Sequence, residues 1–160
     1  MSTSTQYLAL CEAILTEGNA LKIRARGHSM HPVIRDGDEV RIATVSPDDV
    51  RAGDILCFRS QLEIVVVHRV IGIRTVEGKV YFRMKGDLAL VVENVPAAAV
   101  LGRVVEVGRD DRAWSMETPR ARLVARALAL GSYPFTIVYL ALVKTKRLFL
   151  RVFGRRNDTR

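Results

Sequence analysis

The chain contains 160 residues, a length typical of one domain with its own hydrophobic core. Its net charge of +8 arises at one end, because residues 1–119 hold 15 basic and 16 acidic residues while residues 120–160 hold 10 and 1. The neutral body argues against a nucleic-acid groove, and no nucleic-acid partner is expected. Two cysteines are too few for a disulfide framework and no metal-ligand spacing occurs, so neither a metal nor a cofactor is expected.

The first expected element is a short amphipathic helix over residues 5–16, within an N-terminal unit of residues 1–20. Gly18 follows the helical pattern and ends it. No basic region precedes the apolar stretch, which also contains Glu12, so a cleavable signal peptide is not expected. The apolar positions at helical spacing are Tyr7, Leu10, Cys11, Ile14 and Leu15.

Six short runs rich in β-branched and aromatic residues follow, separated by turn residues. The runs are LKIRAR, DEVRIATV, DILCF, EIVVVHRVIGIRTV, KVYFRMKG and VLGRVVEVG. Few helical patterns interrupt them. The sequence therefore predicts a mainly β, antiparallel domain over residues 21–112, either a coiled barrel or a sandwich.

A candidate nucleophile, Ser29, lies between two histidines in the stretch GHSMHPV. A serine hydroxyl needs a positioned base to remove its proton. In an extended chain the adjacent His28 points to the opposite face, and His31 precedes Pro32, which restricts the backbone there. His68 stands in the apolar run IVVVHRVIGI, where an unpaired imidazole is costly. Taken alone, His68 is better explained as a core histidine bonded to a backbone carbonyl.

Five short motifs in a fixed order change that interpretation. They are Ser29-Met30-His31-Pro32, Asp36-Gly37-Asp38, Gly53-Asp54-Ile55, His68-Arg69-Val70 and Lys85-Gly86-Asp87. Together they resemble the signal peptidase I and LexA-like superfamily of serine peptidases. The resemblance extends from Leu21 to Val107, where VLGRVVEV resembles the closing strand of that family. It implies a signal-peptidase-like coiled β-barrel.

The resemblance also implies roles for individual residues. Ser29 would be the nucleophile, with its own backbone N–H as an oxyanion donor. His68 would be the general base, as in the Ser-His branch typified by archaeal and endoplasmic-reticulum signal peptidases. Asp87 would orient His68, whereas Glu93 is the alternative acid, because the sequence departs from the family pattern after Asp87. Arg69 is expected to point away from His68 and to be solvated or paired with a carboxylate.

A C-terminal helical, apolar and basic tail is expected over residues 118–160. Thr118 and Pro119 form a typical helix start. Residues 127–143 are uncharged, a length close to the minimum for a membrane-spanning helix, although Gly131 and Pro134 interrupt the run. Beyond Pro134, apolar and basic residues separate onto two faces, a pattern typical of an interfacial helix.

The tail predicts association with anionic membrane lipid through about residues 120–153, with the body on the cytoplasmic side. Helices packed on the β body and a partner-binding tail are the alternatives. Basic residues flank the uncharged run on both sides, so the charge distribution does not decide an orientation.

The predicted function is a membrane-associated serine endopeptidase of the signal-peptidase class that cleaves a leader or precursor peptide. The family would imply small side chains just before the scissile bond. One alternative is a self-cleaving regulator similar to LexA or UmuD, although His68 replaces the lysine base and no Ala-Gly or Cys-Gly pair precedes Ser29. The other is a catalytically silent peptidase-fold adaptor at the membrane, which the unusual residues after Asp87 favour.

Overall fold

The β-rich runs form one curled antiparallel half-barrel sheet in the computed structural model, which describes residues 3–132, 134, 136–139 and 141–142. The strands are β1 (Leu21–Arg24), β2 (Glu39–Ala43), β3 (Ile55–Arg59), β4 (Val65–Val76), β5 (Lys79–Lys85), β6 (Glu93–Pro96), β7 (Val100–Arg109) and β8 (Arg112–Ser115). The helices are α1 (Thr3–Thr16) and α2 (Pro119–Leu130). Single 3₁₀ turns span Pro47–Asp49 and Ala97–Ala99.

The strand order is β1-β2-β7-β3-β4-β5-β6, and β8 pairs with β7. The long strand β4 changes neighbours along its length: residues 65–69 pair with β3, whereas residues 69–76 pair with β5. Consequently, the edge of residues 65–68 that faces away from β3 has no strand partner in the described part of the chain. This open edge of β4 lies immediately before Arg69.

Apolar side chains fill both faces of the curled sheet. One cluster lies under α1 and includes Val40, Ile42, Ile55, Cys57 and Val107. The other cluster includes Leu56, Phe58, Val70, Phe82 and Met84. Consecutive residues of β3 alternate between the two clusters, which explains why its sequence ILCF is continuously apolar. Burial raises the pKa of Cys57 to about 12, so this residue serves as a small core side chain and not as a reactive thiol.

Each of the six predicted runs contains a strand, but β6 and β8 were not indicated by the sequence pattern. Their sequences, ENVP and RAWS, contain only one β-branched or aromatic residue each, so neither shows the composition typical of a strand. The helix α1 begins at Thr3, two residues before its expected start. It buries Leu8, Cys11 and Leu15, whereas Leu10, expected on its apolar face, is 58% exposed.

The tail begins as the sequence predicts. Thr118 caps α2 by accepting a hydrogen bond from Ala121 N–H at 3.2 Å, and Pro119 is the first helical residue. Gly131 ends α2, and residues 132, 134, 136–139 and 141–142 are again helical. No helix within the described residues has the length and hydropathy needed to cross a bilayer. The remainder of the predicted membrane segment, residues 143–153, lies outside the described residues.

Candidate active site

Ser29 lies in the loop between β1 and β2, and its side chain is exposed. The following residue, Met30, is buried in the core under α1 and anchors the loop. Within the described residues, Ser29 Oγ makes no hydrogen bond and nothing accepts a hydrogen bond from its N–H. The residue therefore offers an accessible hydroxyl and an available backbone donor, the two groups that acyl transfer requires of it.

The Lys85-Gly86-Asp87 motif supports Ser29 from the opposite side. Leu88 N–H donates to Ser29 O at 2.8 Å. A Cβ added to Gly86 would lie 2.9 Å from Ser29 O and 3.0 Å from Ser29 Cβ, so glycine is required for this close approach. The fold thus brings two motifs that are distant in sequence into direct contact.

His68 lies on β4 opposite Leu56 of β3, and its side chain is only 13% exposed. Desolvation lowers its pKa below the usual histidine value, and this effect is larger than the opposing attraction of the Glu93 carboxylate. The folded protein therefore favours the neutral imidazole, which is the form that a general base needs.

Ser29 lies in its loop and His68 lies on β4, and no hydrogen bond joins them. Arg69, adjacent to His68, pairs across the sheet with Lys85. Gly86, which follows Lys85, approaches Ser29 so closely that a Cβ would not fit between them, so a short series of contacts connects the two residues. Hydrogen bonds between catalytic groups are often long before substrate binds.

Glu93 is the carboxylate that contacts His68, with its Oε1 at 2.9 Å from Nδ1. Glu93 begins β6 and pairs with Met84 of β5, which pairs with Val70, two residues beyond His68. Because alternate residues of a strand share a face, His68 and Glu93 lie on the same side of the sheet. The Nδ1–H direction is not aligned with the carboxylate, so the buried nitrogen lacks a well-formed hydrogen bond at this short distance.

Asp87 lies against Arg69. The Nε and Nη2 atoms of Arg69 donate to the two Asp87 carboxylate oxygens, each at 2.7 Å, and Nη1 donates to Gly53 O at 2.9 Å. Both side chains are buried, 1% and 5% exposed, and the fork-like geometry is typical of a strong arginine–carboxylate pair. Arg69 is therefore paired and not solvated, and the described contacts bring Glu93, not Asp87, to His68 Nδ1.

Neither histidine near Ser29 in sequence is hydrogen-bonded to its hydroxyl. His28 is exposed, and its carbonyl accepts a hydrogen bond from His31 N–H at 3.2 Å. The His31 ring is half-buried, and its Nδ1 lies 2.9 Å from the hydroxyl of Tyr139. Desolvation lowers the pKa of His31, so the neutral ring can accept a hydrogen bond from Tyr139.

Lys85, next to Gly86, carries a second buried nitrogen, and no sequence pattern indicated its environment. Its side chain is 1% exposed, and burial lowers its pKa. Its Nζ lies 3.3 Å from Gly86 O, 3.2 Å from Ser132 O and 2.8 Å from Thr136 Oγ1. These oxygens match the three donors of an ammonium group, which favours a structural cation over a base.

A groove of about 400 Å³ runs from Ser29 along the open edge of β4. Its lining includes Ile23, Met30, Ile34, Val65 and Val67. A second groove, of about 710 Å³, is lined by His68 and Glu93, and it adjoins the first because Ile64 and Val66 line both. The candidate nucleophile and base therefore line two separate grooves that share Ile64 and Val66 beside the open edge of β4.

No protein-family model matches the chain, and no curated protein is significantly similar to it. The resemblance to signal peptidases therefore depends on the five sequence motifs alone.

Proposed function

We propose that the protein is a serine endopeptidase of the signal-peptidase class that cleaves a leader or precursor peptide, with Ser29 as nucleophile and His68 as base. The observation that carries the proposal is the pairing of a buried His68, which favours the neutral form, with Glu93, in a groove next to the one that the exposed Ser29 lines. The curled half-barrel sheet supports the finer assignment of a signal-peptidase-like coiled β-fold, and the order of the five motifs supports the family.

In the proposed reaction, Ser29 Oγ attacks the scissile carbonyl while His68 accepts the hydroxyl proton. The Ser29 N–H donates to the developing oxyanion. His68 then protonates the departing amine, and the C–N bond breaks to leave an ester on Ser29. A water molecule then attacks the ester while His68 accepts its proton, and His68 passes that proton to Ser29 Oγ as the C–Oγ bond breaks and the carboxylic acid product leaves.

Glu93 is the proposed orienting acid. Its contact with Nδ1 would hold the ring and stabilise the imidazolium that forms after proton transfer. Asp87, the acid that the family resemblance favoured, becomes the alternative in this proposal, because both of its oxygens are occupied by Arg69. The geometry favours Asp87 as the residue that fixes the segment supporting Ser29.

The substrate would bind as an extended strand. The open edge of β4 offers backbone groups to which a peptide can add, and the apolar groove beside Ser29 would accept its side chains. Small residues before the scissile bond remain an expectation from the family resemblance.

The second proposed partner is anionic membrane lipid. Several apolar side chains of the tail are exposed: Leu123 (70%), Leu130 (88%), Ile137 (61%) and Leu142 (63%). The tail also carries the basic excess of the chain, so apolar and electrostatic attraction would act together at a membrane surface.

A catalytically silent adaptor is the second candidate function, because no hydrogen bond joins Ser29 to His68. A fluorophosphonate probe, which phosphonylates activated serine hydroxyls, distinguishes the two functions. The enzyme should be labelled at Ser29, located by mass spectrometry of the digested chain, and Ser29→Ala should abolish labelling. Ser46→Ala is the matched control, because Ser46 is also exposed and makes no side-chain cap. An unlabelled wild-type chain would favour the adaptor.

A further inference from the structure

The helical residues after Gly131 contact both segments that position Ser29. Thr136 is fully buried, and its hydroxyl accepts a hydrogen bond from Lys85 Nζ at 2.8 Å. Its own hydroxyl hydrogen has two acceptors within reach, Asp87 O at 2.8 Å and Ser132 O at 2.7 Å. One threonine of the tail is thereby connected to both ends of the Lys85-Gly86-Asp87 motif.

That motif in turn fixes the backbone of Ser29. Leu88 N–H donates to Ser29 O at 2.8 Å, and Gly86 approaches Ser29 so closely that an added Cβ would lie 2.9 Å from Ser29 O. A displacement of Asp87 would move Gly86 and Leu88 with it, because the three are consecutive in a short turn. The position of Ser29 therefore depends on a segment that Thr136 holds.

Tyr139 provides a second, independent contact on the same helical segment. Its hydroxyl lies 2.9 Å from His31 Nδ1, and the two rings are 5.6 Å apart. His31 is two residues beyond Ser29 in the loop that carries the nucleophile. Thr136 thus contacts the motif that packs on Ser29, and Tyr139 contacts the loop that contains Ser29.

We propose that Thr136, with Tyr139, is a positioning residue: docking of the tail helix on the β body sets the reactive geometry of Ser29. The inference rests on the proposed function, because it concerns the reactivity of the same serine. If this positioning role holds, the rate of Ser29 acylation depends on whether the helix that carries Thr136 and Tyr139 is docked. Displacement of this helix from the β body slows acylation without altering any group that touches substrate.

The test uses the full-length chain and compares Thr136→Val, which removes the hydroxyl at nearly constant volume, with Thr136→Ser, which retains it. Thr136→Val should lower the rate of Ser29 labelling at least about tenfold, since one positioned polar contact is often worth that much. Thr136→Ser should remain within about threefold of wild type. Ile137→Val is the matched control, because Ile137 is adjacent and 61% exposed.

Amide hydrogen exchange distinguishes positioning from general destabilisation. In Thr136→Val, exchange should accelerate in the peptide containing Leu88 N–H, while exchange in β2 and β7 stays at the wild-type rate. The pH at half-maximal labelling should not move, because His68 is untouched. Uniformly faster exchange in Thr136→Val would instead indicate global unfolding. In that case Tyr139→Phe, which removes only the hydroxyl near His31, decides the question. This variant should lower the labelling rate severalfold while exchange in β2 and β7 stays at the wild-type rate.

The two proposals fail differently. If wild-type protein is labelled at Ser29 but Thr136→Val and Tyr139→Phe react at the wild-type rate, the positioning role is wrong and the peptidase assignment stands. If the wild-type chain is not labelled, the peptidase assignment itself fails, and the catalytic role of the tail contact fails with it.

Discussion

Burial and the Glu93 carboxylate act in opposite directions on the pKa of His68, and burial has the larger effect. Because the base must be neutral, labelling of Ser29 should reach half its maximal rate below the ordinary histidine pKa of about 6.5. Glu93→Gln removes an interaction that raises the pKa, so the half-maximal pH should move lower still. The measurement is the labelling rate as a function of pH. A wild-type midpoint above about 6.5 would show that attraction to the carboxylate, not burial, dominates.

The lowered pKa of His68 also makes the free energy of unfolding depend on pH. The unfolded chain protonates His68 at a higher pH than the folded chain does, so this contribution to stability is fully present above about 6.5 and is lost as the pH falls through the folded pKa. Urea denaturation should therefore give a lower free energy of unfolding at about pH 5 than at about pH 7. His68→Gln should reduce this difference. His31, whose pKa is also lowered, should account for part of what remains.

The two candidate acids should give opposite phenotypes. Glu93→Gln should lower the labelling rate on the order of 10²–10⁴, as loss of an orienting acid does in triads, with little change in the free energy of unfolding. Asp87→Asn leaves Arg69 buried opposite a neutral partner, and breaking such a pair costs about 3–5 kcal/mol of stability. Labelling kinetics and denaturant titration on both variants test this. A stable, inactive Asp87→Asn beside an active Glu93→Gln would transfer the orienting role to Asp87.

Sequence reasoning identifies Ser29 and His68 as candidates because each stands out from its surroundings, a serine in a Pro-containing loop and a histidine in an apolar strand. It favours Asp87 over Glu93 on the motif alone, because the strand that carries each acid and the direction in which each acid faces are not visible in the sequence. The short strand β6 places Glu93 on the face of His68, and four residues ending in proline give no detectable period.

At the level of elements, the long strands are predictable and the docking of α2 is not. The β-branched runs give six strands directly, since alternation and turn residues are local signals. The contact between α2 and the turn before β3 depends on a tertiary fit: Gly53 has φ +103°, and a Cβ there would lie 2.8 Å from both Ala125 C and Arg126 N. A glycine in a Gly-Asp turn predicts an unusual backbone conformation from the sequence, but it does not predict which helix packs on the turn.

Replacement of Gly53 tests this docking. Gly53→Ala adds a steric clash with helix backbone to the cost of a left-handed φ, whereas Gly78→Ala, at φ +74° with nothing within 4 Å, incurs the backbone cost alone. Denaturant titration should therefore show Gly53→Ala to be less stable than Gly78→Ala by about 1–3 kcal/mol, the usual cost of overpacking. Equal destabilisation by the two variants would mean that α2 does not pack tightly on this turn.

At the scale of the whole molecule, the tail has a buried face and an exposed face that its sequence does not separate. Buried residues such as Ala125, Ala129 and Thr136 face the β body, while Leu130 and Ile137 remain exposed. The uncharged run between residues 127 and 143 therefore combines a packing face with an outward apolar face. The alternative of helices packed on the body and the membrane hypothesis are compatible, because they concern different faces.

The membrane hypothesis predicts that charge beyond the packed helix controls binding to anionic lipid. Truncation after Leu142 removes seven basic residues and one acidic residue, lowering the net charge from +8 to +2, while it retains Thr136 and Tyr139. Each basic residue near such a surface contributes about 1 kcal/mol, so contact by only three of the seven implies about a 100-fold loss of affinity. Sedimentation with phosphatidylserine-containing vesicles measures this loss, and high salt should weaken the wild-type interaction.

Two controls separate the electrostatic contribution to vesicle binding from the apolar contribution. Vesicles of phosphatidylcholine alone should bind both forms weakly, and Leu130→Ser should weaken binding to either kind of vesicle because it removes an exposed apolar contact. The truncated chain should still be labelled at Ser29 at close to the wild-type rate, because the contacts of Thr136 and Tyr139 remain. Equal vesicle binding by the truncated and full-length chains would show that the basic end does not direct the protein to lipid, and would contradict the electrostatic part of the membrane hypothesis.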